Sequence, residues 1–128
     1  MNFTLKEQKH FPLLERFKQH FKVTKDTIFA YDDVIYTNKL LTPDLLAHEL
    51  QHLIQQKEAG LDNWVEGYIN DPMFRLQMEL DSYQTQLNSI KDRNLRARVR
   101  NKSALTLSSG LYGNIISYQD ALRKLKLK

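Results

Sequence analysis

The sequence predicts an α+β fold: a single compact domain, residues 1–128, mostly helical, with a small β-hairpin or sheet beside its principal helix. Three observations carry that expectation. Several stretches place apolar residues at helical spacing, two of them behind recognisable starts, Thr42-Pro43-Asp44 and Asp71-Pro72. Between Thr27 and Asn38 the pattern changes to two β-favouring runs, Thr-Ile-Phe-Ala-Tyr and Val-Ile-Tyr-Thr-Asn, about the turn dipeptide Asp32-Asp33. The chain has 128 residues, enough for one core and too few for a second, regulatory domain.

From Pro12 to Phe21, the residues Leu13, Leu14, Phe17 and Phe21 recur at helical spacing and predict a packing helix. His10 and His20 lie in or beside it and are expected at the surface or core edge, with a share in a metal site as the alternative. The hairpin follows, and its second strand runs almost directly into the next helix. A strand so placed either is structural or pairs with an extended peptide through main-chain hydrogen bonds. Thr42 suits the N-cap, Pro43 the first helical position, and Asp44 the positive end of the helix dipole, while Gly60 is a natural stop.

After Gly60, residues 61–71 read as a loop or short irregular helix, with Trp64 and Tyr68 as anchors to the core or as parts of a cleft. A second long helix begins near Pro72, with Asp71 as its cap. Its buried stripe holds Met73, Leu76, Leu80, Tyr83, Leu87 and Ile90. The segment from Lys91 to Lys102 carries six basic residues and reads as a solvated helix face. No aromatic residues interleave it to stack on bases, so nucleic acid is not the expected partner. Ser108 to Asn114 reads as a mobile loop, and Ser117 caps a short last helix through Leu125.

The first long helix contains His48-Glu49-Leu50-Gln51-His52. With four histidines in the chain, the expected number of chance matches to His-Glu-x-x-His is only about 0.006. Imidazoles four residues apart share a helical face and can converge on one tetrahedral Zn²⁺, while the Glu after the first His suits a base that takes a proton from the attacking water. At 100° per residue the two histidines fall opposite the stripe formed by Leu46, Leu50, Leu53 and Ile54, outside an ordinary core. A catalytic zinc needs three protein ligands, and the chain has no cysteine, so the third must be His or carboxylate. Glu79, on the shoulder of the second helix's buried stripe, is the leading candidate. The alternative role for Glu79 is an ion pair with Arg75; the alternative ligands are Asp81, which faces away, and Glu66.

The His48-to-His52 element, followed 27 positions later (79 − 52) by Glu79 on another helix, resembles the zincin metallopeptidases, in the branch whose third ligand is Glu. The strand Val34-Ile35-Tyr36-Thr37, the Thr42-Pro43-Asp44 start and Leu111-Tyr112-Gly113 also resemble small zincin-like proteins encoded by bacteriophages. The resemblance covers roughly residues 27 to 122, and only the His-Glu-x-x-His element is specific by itself. It implies a minimal zincin-like domain with His48, His52 and Glu79 as Zn²⁺ ligands and Glu49 as general base. Larger members of that branch place an Asp one turn after the third ligand to orient a metal-bound His. This chain has Tyr83 there, which leaves the support of the imidazoles unassigned.

The expected activity is therefore hydrolysis of a peptide bond in a peptide or protein substrate, with Tyr112 or Tyr83 as the donor that stabilises the tetrahedral intermediate. A zinc-stabilised binding or assembly protein without turnover, and a basic nucleic-acid-associated protein, are the alternatives. So small a chain has little room for an elaborate specificity pocket, which favours a partner protein or a narrow natural target. Hydrophobic residues at 41%, charged residues at 27% and a net charge of +4 are ordinary for a globular chain. No stretch reads as a signal peptide or a membrane span, so a cytoplasmic protein is expected, in the host cytoplasm if phage-encoded.

Overall fold

The computed structural model describes residues 2–127, which form six α-helices and a three-stranded sheet. The strands are β1 (Thr4–Lys6), β2 (Phe29–Tyr31) and β3 (Val34–Tyr36), in the order β1-β3-β2. The β2–β3 hairpin is the predicted one. Asp32 and Asp33 both take positive φ, 51° and 66°, as a two-residue type I′ turn requires. β1 was not expected. It pairs parallel with β3, Leu5 opposite Ile35, and all three of its residues are exposed, so its sequence shows no buried face.

The helices are α1 (Leu14–Lys18), α2 (Pro43–Ala59), α3 (Leu61–Asn70), α4 (Pro72–Asn88), α5 (Arg93–Leu107) and α6 (Tyr118–Lys124). α1 is shorter than the stretch from Pro12 to Phe21 suggested. The segment read as a loop or irregular helix is the regular ten-residue α3, because Trp64, Val65, Tyr68 and Ile69 bury one face of it. α2 ends at Gly60, whose φ of 89° a side chain would strain. α3 can cross closely above α4 because position 67 is glycine: a Cβ there would come within 2.9 Å of the Phe74 ring. Asp71 caps α4 by accepting from the amides of Met73 and Phe74, and Ser117 caps α6 by accepting from that of Asp120. Thr42 makes no side-chain capping bond, and α2 starts on Pro43.

Two apolar clusters flank the α2–α4 pair. One holds Phe11, Phe17, Phe29, Tyr36, Trp64, Val65, Tyr68 and Ile69, and the other Leu76, Tyr83, Leu87, Ala104, Leu107, Ala121 and Leu125. Three arginines close the carbonyl ends of helical segments. Arg75 donates to the carbonyls of Tyr68 and Ile69 at the end of α3 and to that of Tyr112, Arg96 to Ile90 and Lys91 just beyond α4, and Arg100 to Leu122 and Leu125 at the end of α6. Arg96 and Arg100 come from the basic run that had read as a solvated face.

Candidate metal centre

α2 turns inward the face that the leucine stripe had predicted would face out. His48, Glu49, His52, Gln55 and Gln56 are buried with Leu53, whereas Leu46, Leu50 and Ile54 are only half-buried. A polar face is tolerated there because α4 meets it with Glu79, Ser82 and Gln86, all buried, and the polar groups answer one another.

His48 Nε2 lies 3.2 Å from Glu79 Oε1, and His52 Nε2 lies 3.2 Å from Oε2 of the same carboxylate. A ligand atom from each of the three residues falls within 4.8 Å of the others. Tetrahedral Zn²⁺ with N and O ligands at about 2.0–2.1 Å would separate them by roughly 3.3 Å, close to the two imidazole–carboxylate contacts, each of which is made to a different oxygen of Glu79. The Tyr68 hydroxyl donates to Glu79 Oε2 at 2.5 Å and fixes the carboxylate from the α3 side.

Burial opposes ionisation of Glu79, and the two imidazoles outweigh burial and hold the carboxyl well below its usual range. Burial alone would lower the pKa of His52; the charge and hydrogen bond of Glu79 reverse this and raise it to about 9. Glu49 is buried beside both histidines and, among the described residues, has no hydrogen-bond partner. Burial raises its pKa, against the partial offset of His48 and His52.

The triad and Glu49 open on a cleft of about 320 Å³. Phe17, Phe21, Ile28, Val99, Leu111 and Tyr112 are among the side chains that line it. Tyr83 sets its ring edge-on to His48, 4.4 Å between centroids, and its hydroxyl meets that of Tyr112 at 2.9 Å. Burial and the Glu79 charge raise the pKa of both phenols, keeping them protonated, and one proton of the pair suffices for their mutual bond. The other has no acceptor among the described residues.

The remaining candidates lie elsewhere. Glu66 is on the exposed side of α3 in a two-pronged ion pair with Arg16, at 2.6 and 2.7 Å. Asp81 accepts from Gln51 and Gln55, and His10 and His20 are exposed. Arg75 caps α3 and stacks its guanidinium 4.9 Å above the Phe21 ring, so the suggested pairing with Glu79 does not form. Trp64 and Tyr68 are both anchors and site residues, since each is buried in the aromatic cluster and bonds to a group at the centre.

Of the two roles open to the strand that leads into α2, the structure fits the structural one. β3, which leads into α2, is the central strand, paired on both sides. At the outer side of β2, Gln56 donates to the Ala30 carbonyl at 2.7 Å and accepts from the Asp32 amide at 3.1 Å, as a residue of a further strand would. Gln55 and Gln86 escaped notice as participants. Gln55 Oε1 lies 2.9 Å from His52 Nδ1, and Gln86 Oε1 lies 3.0 Å from His48 Nδ1. Comparison with family models, curated proteins and solved structures gives no match for this chain.

Proposed function

We propose that this chain is a zinc-dependent metallopeptidase of minimal zincin-like form, with His48, His52 and Glu79 holding the ion and Glu49 acting as general base. The observation that carries this reading is the pairing of a convergent His-His-Glu donor set with a second, unengaged carboxylate in the same cleft. A bound Zn²⁺ would polarise a scissile carbonyl and acidify water. Glu49 takes the proton of the attacking water and delivers it to the leaving amine; its burial keeps it basic enough to do so. The free hydroxyl proton of the Tyr83–Tyr112 pair is the donor to the developing oxyanion. The apolar side chains of the cleft walls favour a peptide or protein segment with bulky apolar side chains.

Two further observations bear on partners. No helix among the described residues is long and apolar enough to cross a membrane. Arg96 and Arg100 are engaged with carbonyls of the chain, which weakens the case for α5 as a nucleic-acid surface.

The test is metal-dependent cleavage of a peptide library by the zinc-loaded protein, beside Glu49→Gln. Cleavage by the wild type, its loss on chelation, and its loss in a Glu49→Gln variant that still retains one equivalent of zinc by elemental analysis are expected. A wild type that binds zinc without cleaving any member would leave a binding protein in place of an enzyme.

A further inference from the structure

Each of the two histidines reaches an aspartate through one glutamine, and groups with a single hydrogen-bonding role fix the direction of both chains. The Trp64 indole nitrogen can only donate, and it lies 3.2 Å from Gln55 Oε1, which identifies that atom as the acceptor. The Gln55 amide nitrogen donates to the Met78 carbonyl at 3.0 Å and to Asp81 Oδ2 at 2.9 Å. His52 Nδ1, 2.9 Å from Gln55 Oε1, must therefore carry a proton; Ser82 Oγ lies 3.1 Å from the same nitrogen. On the other side, Gln86 donates to Asp44 Oδ2 at 2.8 Å, which leaves its carbonyl oxygen 3.0 Å from His48 Nδ1. That nitrogen, too, is a donor. Both rings hold a proton at Nδ1 and turn Nε2 toward Glu79.

We propose that Asp44–Gln86 and Asp81–Gln55 are positioning relays that fix the Nδ1 proton of His48 and His52, so that Nε2, the nitrogen turned toward Glu79, is the one that a metal ion would take in place of a proton. The inference rests on the metal-centre reading above and supplies the support for the imidazoles that Tyr83 does not provide. An amide in this place differs from a carboxylate in one respect: it can turn end for end. A turned glutamine would present N–H to Nδ1, move the ring proton to Nε2, and close the lone pair to the ion. Each relay needs a lock against that turn, and the two are locked unequally. Gln55 is held by Trp64, Met78 and Asp81 together, whereas among the described residues only Asp44, in the first turn of α2, fixes the amide end of Gln86. The relay to His48 is the one a single substitution can unlock.

The experiment uses the full chain, zinc as the probe, and two readouts: zinc affinity by competition with a chromophoric chelator, and nitrogen-15 NMR of the histidine rings in the metal-free protein. Gln86→Met keeps the length of the side chain and removes the acceptor, and should weaken zinc binding about 10-fold or more, in the range of lost supporting partners. Asp44→Leu should also weaken it, while Asp81→Leu should not, because Trp64 and Met78 still hold Gln55. Asp44→Asn combined with Gln86→Glu reverses the polarity of the first bond while leaving an acceptor for His48, and should restore affinity and the His48 Nδ1 proton signal that Gln86→Met loses. Unchanged affinity in Gln86→Met, or a double variant that binds no more tightly than Gln86→Met, overturns the relay. A wild type that binds no zinc defeats the metal-centre reading instead; the ring signals then decide alone, and absence of a proton on Nδ1 of His48 and His52 overturns the relay.

Discussion

In the metal-free protein, His52 ties stability to pH. Burial would lower its pKa, but Glu79 overrides burial and lifts it from 6.5 to about 9. The folded chain thus holds a proton that the unfolded chain gives up above pH 6.5. The resulting stabilisation is complete below pH 6.5 and is lost as pH rises through about 9. At about 1.4 kcal/mol per tenfold change, the whole effect is about 3 kcal/mol, or roughly 10 °C in melting temperature for a domain of this size. Glu49, with its pKa raised by burial, contributes in the same direction, stabilisation that is lost as pH rises above the ordinary carboxyl range, whereas the depressed Glu79 matters only as pH falls through that range. Zinc competes with the proton for the same nitrogen, so zinc binding should contribute more stabilisation across this window, opposing the loss. Thermal melts at pH 6.5 and 9, with chelator and with one equivalent of zinc, measure both slopes. A metal-free protein equally stable at the two pH values, or a Glu79→Gln variant that keeps the full slope, would refute the reasoning.

Glu79→Ala should weaken zinc binding about 10-fold or more, whereas Glu66→Ala should leave it unchanged; chelator competition giving the reverse would move the third ligand to α3. Tyr83→Phe combined with Tyr112→Phe, which removes both hydroxyls of the pair, should lower kcat on a cleaved peptide by about 10²–10³, the usual cost of one oxyanion donor, with zinc content near wild type. Leu87→Ala, at a fully buried position in the α4 core, should cost about 2–5 kcal/mol in urea unfolding of the zinc-loaded protein without altering zinc stoichiometry.

The site was legible where its chemistry obeys local spacing. His48, Glu49 and His52 follow from one turn of helix, and Glu79 from its place beside a buried stripe. The orientation of α2 was not legible, because a leucine stripe normally outweighs histidines. Here the inward face is stabilised by polar partners 30 or more residues away, such as Ser82 for His52 and Gln86 for His48. Gln55 and Gln86 carry no local mark, since glutamine usually reads as a surface residue and their roles appear only when α2 and α4 meet. α3 did leave a signal: Trp64, Val65, Tyr68 and Ile69 fall on one helical face, and the flanking glycines and asparagines obscured it. β1 left none, since three exposed residues become a strand only because β3 offers them an edge.

The arginine caps determine how the domain should respond to ionic strength. Arg75, Arg96 and Arg100 bind neutral carbonyl oxygens, most at 2.5–3.2 Å, far inside a Debye length of about 8 Å at physiological salt. Counterions have no opposite charge to displace at these contacts, so salt that dissolves the exposed Arg16–Glu66 pair should leave them standing. Lysine is no substitute, because its point charge cannot fork across two carbonyls as a planar guanidinium does. The ties between α3, α4, α5 and α6 thus depend on the shape of the cation as well as on its sign.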